Sequence, residues 1–174
     1  MVVRDELALL RVLSASGYGS AVSDRVSDGR RSASLDRAGV EVLASVPLFS
    51  GMSKRQLRSL AGKVKVLRYG PERTVVGEGV RGGGSMFVLL DGTAKVVRRG
   101  RTIGRLGRGD VFGELALLDT GPRSASVVTE APVETARLSR SAFLDLVRSD
   151  PDIGLRMMQV LASRLRACEP GGDV

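Results

Sequence analysis

The sequence predicts a mainly β protein with flanking helices. This is an α+β fold built on an eight-stranded β-roll or jelly roll, with helices before it and two helices after it. Three observations carry this. Residues 64–138 form a string of short β segments separated by glycines. Apolar residues on either side of that string recur at helical spacing. The chain has 174 residues, 43% of them hydrophobic and 26% charged, which is enough for one domain with a real core plus an arm.

The elements follow in order. Residues 1–39 read as a flexible N-terminal arm. Asp5 to Leu13 can form a short helix, but Ser14 to Gly39 is rich in Ser, Gly, Arg and Asp and poor in large apolar residues. The folded domain is expected over residues 40–166. Val40 to Val46 reads as a helix and Pro47-Leu48-Phe49 as an apolar anchor. Ser53 caps a second helix through Leu57, Leu60 and Ala61, with a stop at Gly62.

Eight strands follow: Val64 to Tyr69, Thr74 to Gly77, Met86 to Leu90, Ala94 to Arg98, Thr102 to Leu106, Asp110 to Phe112, Ala125 to Thr129 and Glu134 to Leu138. So many short strands joined by tight turns suit a sheet that hides its edges by closing. Ser139 or Ser141 then caps a helix carrying Phe143, Leu144 and Val147. Pro151 opens the last helix, with Ile153, Leu155, Met158, Leu161, Ala162 and Leu165 as its apolar set. Residues 167–174 read as a tail.

Composition removes whole function classes. With no histidine, His general bases, Ser-His and Cys-His nucleophiles and His-ligated metals are excluded. Cys168 is the single cysteine, so an internal disulfide and a multi-cysteine metal site are excluded too. The longest apolar run, Met86 to Leu90, is too short for a transmembrane helix, and the first residues lack the apolar core of a signal peptide. A cytoplasmic protein is expected.

The net charge is +8, from 27 basic and 19 acidic residues. Only Lys54, Lys63, Lys65 and Lys95 are lysines, and the arginine excess with abundant Gly, Ala and Val points to a GC-rich, bacterial genome. The arm holds six Arg against five acids, so nearly all of the positive charge lies on the folded part. That argues against a basic tail for nucleic acid. Aromatic residues, which would stack on bases, make up only 3% of the chain. Arg98, Arg99, Arg101, Arg105 and Arg108 form a cluster without an acid, either a solvated hairpin or a positive field that attracts an anion or a partner.

The segment Asp110 to Val127, DVFGELALLDTGPRSASV, carries the chemistry. A strand ends at Phe112. Gly113 lets the backbone come close to a ligand, and Glu114 to Leu118 begins a helical turn whose first amides suit a phosphate. Arg123 can supply a forked, charge-assisted pair. Ser124 can donate one more bond, and Glu114 can accept from a sugar hydroxyl. An anion site beside a hydroxyl acceptor makes a receptor for a sugar phosphate. Glu114 and Arg123 read alone are equally well a structural ion pair.

In these residues the sequence resembles the cyclic nucleotide-binding domain family. The matching positions are Phe112-Gly113-Glu114, Ala116, Leu117, Pro122-Arg123-Ser124-Ala125 and Val127. Further matches are Pro47-Leu48-Phe49, Leu57, Glu78, Gly79, Phe87 to Leu90, Gly92 and Val96, and the resemblance spans residues 40–166.

It implies that Glu114 binds the ribose 2′-hydroxyl and Arg123 the cyclic phosphate, and that Ser124 with the amides of Leu115, Ala116 and Ala125 completes the cradle next to Gly113. The implied ligand is cAMP first and cGMP second, with no cofactor, no metal site and no catalysis. Gly84 departs from the family pattern, which often has an acid there. Arg156, Met157, Arg164 and Arg166 are candidates to approach the base.

The expected role is a sensor whose terminal helices report occupancy, passing the signal to a protein partner or to a homodimer made by the last helix. The eight residues after Arg166 are too few for a helix-turn-helix, so nucleic acid is not expected as a partner. The alternatives are a nucleotide-free docking or dimerisation module, or the soluble regulatory part of a channel or transporter.

Overall fold

The computed structural model describes residues 30–31, 35–81 and 84–166. Its strands are β1 (Arg30–Arg31), β2 (Lys65–Tyr69), β3 (Thr74–Val76), β4 (Ser85–Asp91), β5 (Ala94–Arg98), β6 (Arg101–Leu106), β7 (Val111–Phe112), β8 (Ser126–Thr129) and β9 (Val133–Ser139). The helices are α1 (Arg37–Ser45), α2 (Lys54–Lys63), α3 (Leu115–Leu118), α4 (Arg140–Ser149) and α5 (Asp152–Arg166), with a 3₁₀ turn at Pro47–Phe49. One sheet runs β1-β2-β9-β4-β7 and the other β3-β8-β5-β6. Every strand pair is antiparallel. This is the expected β-roll with helices on either side of it in sequence.

Local chemistry sets the helix ends. The Asp36 carboxylate accepts from the Gly39 amide at 2.8 Å, so α1 starts at Arg37 and not at Val40. Ser53 and Gln56 form a reciprocal capping box at α2. That helix does not stop at Gly62, because the Val64 amide still reaches the Leu60 carbonyl at 3.1 Å. Ser139 caps α4, its Oγ accepting from the Ala142 amide at 3.2 Å.

The eight predicted strands are all present. The ninth, β1, pairs Arg30 with Arg68 and Arg31 with Leu67. It falls among residues read as arm and covers the outer edge of β2. The remainder of the predicted arm before Leu35, with its N-terminal helix, lies outside the described residues. So do Cys168 and the rest of the tail.

Two apolar clusters share the central strands. Met86, Val88 and Leu90 of β4 and Ala136 and Leu138 of β9 pack against the helices, with Leu43, Phe49, Leu60, Phe143 and Ile153. Phe87 and Leu89 of β4 and Val133 of β9 point the other way. They meet Leu67, Val75, Val96, Leu106 and Phe112 between the sheets. Alternation along β4 and β9 thus gives one face to the helices and one to the interior of the roll. Phe87 and Phe112 stack there, with ring centroids 5.1 Å apart.

Candidate functional site

The site is built where β7 ends. Gly113 turns the chain at φ +75°, a left-handed conformation that glycine adopts freely. Glu114 follows in helical geometry and leads into α3. Arg123 lies ten residues on, just before β8, and folds back over the turn. Its Nη1 donates to the Gly113 carbonyl at 2.9 Å and its Nη2 to the Ser85 carbonyl at 2.8 Å.

The backbone of Arg123 is held as firmly as its side chain. The Arg123 amide donates to the Val80 carbonyl at 3.0 Å, and its carbonyl accepts from the Gly79 amide at 2.8 Å. Both ends of the residue are therefore fixed. The guanidinium lies directly against Gly113, where an added Cβ would come 2.7 Å from Nη1.

Burial pushes the Arg123 guanidinium below its ordinary value. The Glu114 carboxylate opposes this and the Arg137 charge adds to it. Arginine starts so far above neutrality that the group stays ionised. The result is a fixed, half-buried cation with a carboxylate in its field.

The other predicted residues gather around this pair in sequence and space. Leu115 and Ala116 form the first turn of α3. The Ala116 amide donates to the Gly113 carbonyl at 3.2 Å and so closes that turn. Ser124 is partly exposed, and Ala125 is buried with the between-sheet cluster at the start of β8. Among the residues considered for the base, Met157 is buried at 2% exposure in the helix-side core, which commits it to packing. The guanidinium of Arg156 lies near Gly51 at the 3₁₀ turn. Arg166 is exposed, and the Arg164 side chain lies outside the described residues.

Two residues escaped the sequence pattern. Ser85 lends its carbonyl to Arg123, and its Oγ accepts from Arg137 Nε at 3.0 Å. The signal was alternation. Arg137 shares the inward face of β9 with Val133 and Thr135, so a charged residue stands where an apolar one is expected.

Gly84 has a clear role. Its carbonyl accepts from the Arg140 amide at 2.7 Å, and a Cβ there would meet the Ala116 carbonyl at 2.8 Å. Arg140, the first residue of α4, also reaches the end of α3, donating to the Asp119 carbonyl at 3.4 Å and the Leu118 carbonyl at 3.5 Å. Leu117 of α3 is buried in the helix-side cluster with Phe143 and Leu146 of α4. The segment from Phe112 to Ala125, the binding cassette, is thus joined to the terminal helices by an apolar contact and a cation on carbonyls. Asp150, at the α4–α5 junction, bonds Gln56 of α2.

Among the described residues, no helix is long and apolar enough to cross a membrane. A glycine turn, a carboxylate at the start of a short helix and a carbonyl-braced arginine together offer the donors and the acceptor that a phosphorylated sugar needs. Residues 66–150 match the family model described as cyclic nucleotide-binding domain.

The chain is 30% identical over 131 residues to a CRP-like cAMP-activated global transcriptional regulator of Mycobacterium tuberculosis, covering 72% of this chain and 58% of that protein. It is 35% identical over 113 residues to a cAMP-dependent protein kinase regulatory subunit of Aspergillus fumigatus, covering 64% of this chain and 27% of that one. The chain therefore spans less than two thirds of these curated relatives.

Among solved structures it superposes on the Thermus thermophilus catabolite activator protein with a TM-score of 0.65 and 30% identity, covering 71% of this chain and 60% of that one. A cyclic nucleotide-binding domain from Methylobacillus flagellatus gives 0.64 and 27%, covering 78% and 84%.

Proposed function

We propose that this domain is a cyclic nucleotide sensor, with cAMP as the first ligand and cGMP as the second. The observation that carries the reading is Arg123, fixed on the Gly113 and Ser85 carbonyls within the Phe112-Gly113-Glu114 and Pro122-Arg123-Ser124 pattern. A guanidinium held in one orientation offers its fork to a phosphate at little entropic cost. Glu114 takes the ribose hydroxyl, and Ser124 and the Leu115 and Ala125 amides line the phosphate, while the Ala116 amide holds the turn on the Gly113 carbonyl. The cAMP-dependent relatives support cAMP ahead of cGMP. The role is binding, without catalysis and without a cofactor.

The mechanism is a shift of population. Ligand on Gly113 and Arg123 favours one position of α3. That position is passed to α4 through Leu117 and Arg140, and then to α5. The proposed partner is a second copy of the chain. On α5, Leu155 and Met158 are 50% and 62% exposed. With Ala162 and Leu165 they follow the alternating three- and four-residue spacing of a paired helix. Nucleic acid is not part of this reading: Arg68, Arg105 and Arg148 are paired with Glu134, Glu130 and Asp145 on the surface.

Thermal unfolding with cAMP, cGMP and 5′-AMP tests the ligand. A ligand at a hundred times its dissociation constant adds about 2.7 kcal/mol, or roughly 5–11 °C for a domain of this size. The shift is expected with a cyclic nucleotide and is expected to vanish in Arg123→Ala. No shift with any of the three up to millimolar concentration turns the reading to a docking module that binds no nucleotide.

A further inference from the structure

The interior of the roll carries a second arginine that the cassette does not include. Arg137 lies on β9, between Lys65 of β2 and Phe87 of β4 in the register. Its position alternates with Ala136 and Leu138, which face the helices, so its side chain turns to the inner face. There its Nε donates to Ser85 Oγ at 3.0 Å, while the Ser85 carbonyl accepts from Arg123 Nη2 at 2.8 Å. One buried serine, 1% exposed, therefore braces two guanidinium groups.

Among the described residues Arg137 has no carboxylate partner. A cation inside a roll without an ion pair costs stability. Its charge falls on Arg123, where it works against the charged form. The other inward residues of the strand, Val133 and Thr135, are uncharged and buried, so Arg137 brings the one charge to this face of β9.

We propose that Arg137 is a positioning residue for the anion: through Ser85 it holds Arg123 in place, and its own charge adds to the field that draws in the ligand's phosphate. This rests on the nucleotide reading above. A bound phosphate would relieve the repulsion between the two arginines and gain from both.

Calorimetric titration with cAMP on the wild type, Arg137→Gln, Arg137→Lys and Ser85→Ala tests it, each at low and high salt. Arg137→Gln is expected to weaken binding roughly tenfold at low salt and to flatten its salt dependence, because one exposed-to-ligand charge is gone. Arg137→Lys is expected to keep the wild-type salt dependence, and Ser85→Ala to weaken binding while keeping it too.

A merely structural role would lower the melting temperature of Arg137→Gln without touching the salt dependence, and that result overturns the proposal. Equal affinity of wild type and Arg137→Gln at low salt overturns it while leaving the nucleotide reading in place. A wild type that binds neither cAMP nor cGMP overturns both.

Discussion

Arg123 shows how much of this site depends on single residues. Its fork is aimed by two carbonyls that belong to distant parts of the chain, Gly113 and Ser85. Gly113 is needed twice over, for its φ of +75° and for the space Nη1 occupies. An L-residue in that region costs about 1–2 kcal/mol, and a methyl group 2.7 Å from Nη1 must also push the guanidinium away. Gly113→Ala is therefore expected to lower stability by about that amount in a urea titration and to lose cAMP binding at least tenfold. Full affinity in Gly113→Ala would mean that the observed orientation of Arg123 is not the one that binds. Gly84 is constrained by close approach alone. The Ala116 carbonyl and the Arg140 side chain occupy the space that an acidic side chain would need.

At the scale of elements, the β5–β6 hairpin accounts for part of the arginine cluster. Arg105 pairs with Glu130 at 3.1 Å, and the Arg99 amide donates to Glu78 at 2.8 Å. The pairing of Arg98 with Arg101 leaves Arg99 and Gly100 as a two-residue turn, with Arg99 at φ +47°. Such turns favour Asn before Gly. Arg99→Asn keeps the backbone bond to Glu78 and is expected to raise stability by about 0.5–1 kcal/mol, part of the cost of the left-handed region. The urea midpoint should rise with an unchanged slope. A drop would show that the Arg99 side chain has a stabilising contact of its own. The short helix α3 has the opposite character. It is one turn long and depends on Leu117 and Arg140 for its position, which suits an element that must move.

For the molecule as a whole, the two clusters meet at β4 and β9. A change in the roll reaches the helices through those strands and through α3. Three large apolar side chains of the terminal helices stay exposed among polar neighbours: Leu144 at 38%, Leu155 at 50% and Met158 at 62%. Patches of this kind mark contact surfaces. Sedimentation should show a dimer of the wild-type chain, and the double variant Leu155→Glu, Met158→Glu should be monomeric. Because both side chains are exposed, the monomer's stability should change by no more than about 0.5 kcal/mol. An unchanged dimer would place the interface elsewhere.

Local patterns in the sequence determined a great deal. Short β-forming segments between glycines marked all eight strands of the roll, because turn and strand preferences are local. Ser53 marked one helix start and the pair Ser139 and Ser141 another, of which the structure uses Ser139, because capping is a bond within one turn. The residues from Phe112 to Ala125 marked the candidate site, because a glycine turn, a helix start and an arginine lie close together in sequence.

What depends on distant partners needed the tertiary structure. Nothing near Gly62 shows that α2 runs on to Lys63. The pairing of β1 with β2 required β2 to be an open edge. In α5 the sequence could not separate Met157, buried at 2%, from Met158, exposed at 62%, because the helix's rotation is set by what it packs on. The same holds for Ser85 and Arg137. They lie 52 residues apart, and only the folding of β4 against β9 brings them together beside Arg123. Sequence spacing fixes which residues share a face, but only packing of one sheet and helix against another decides what that face meets.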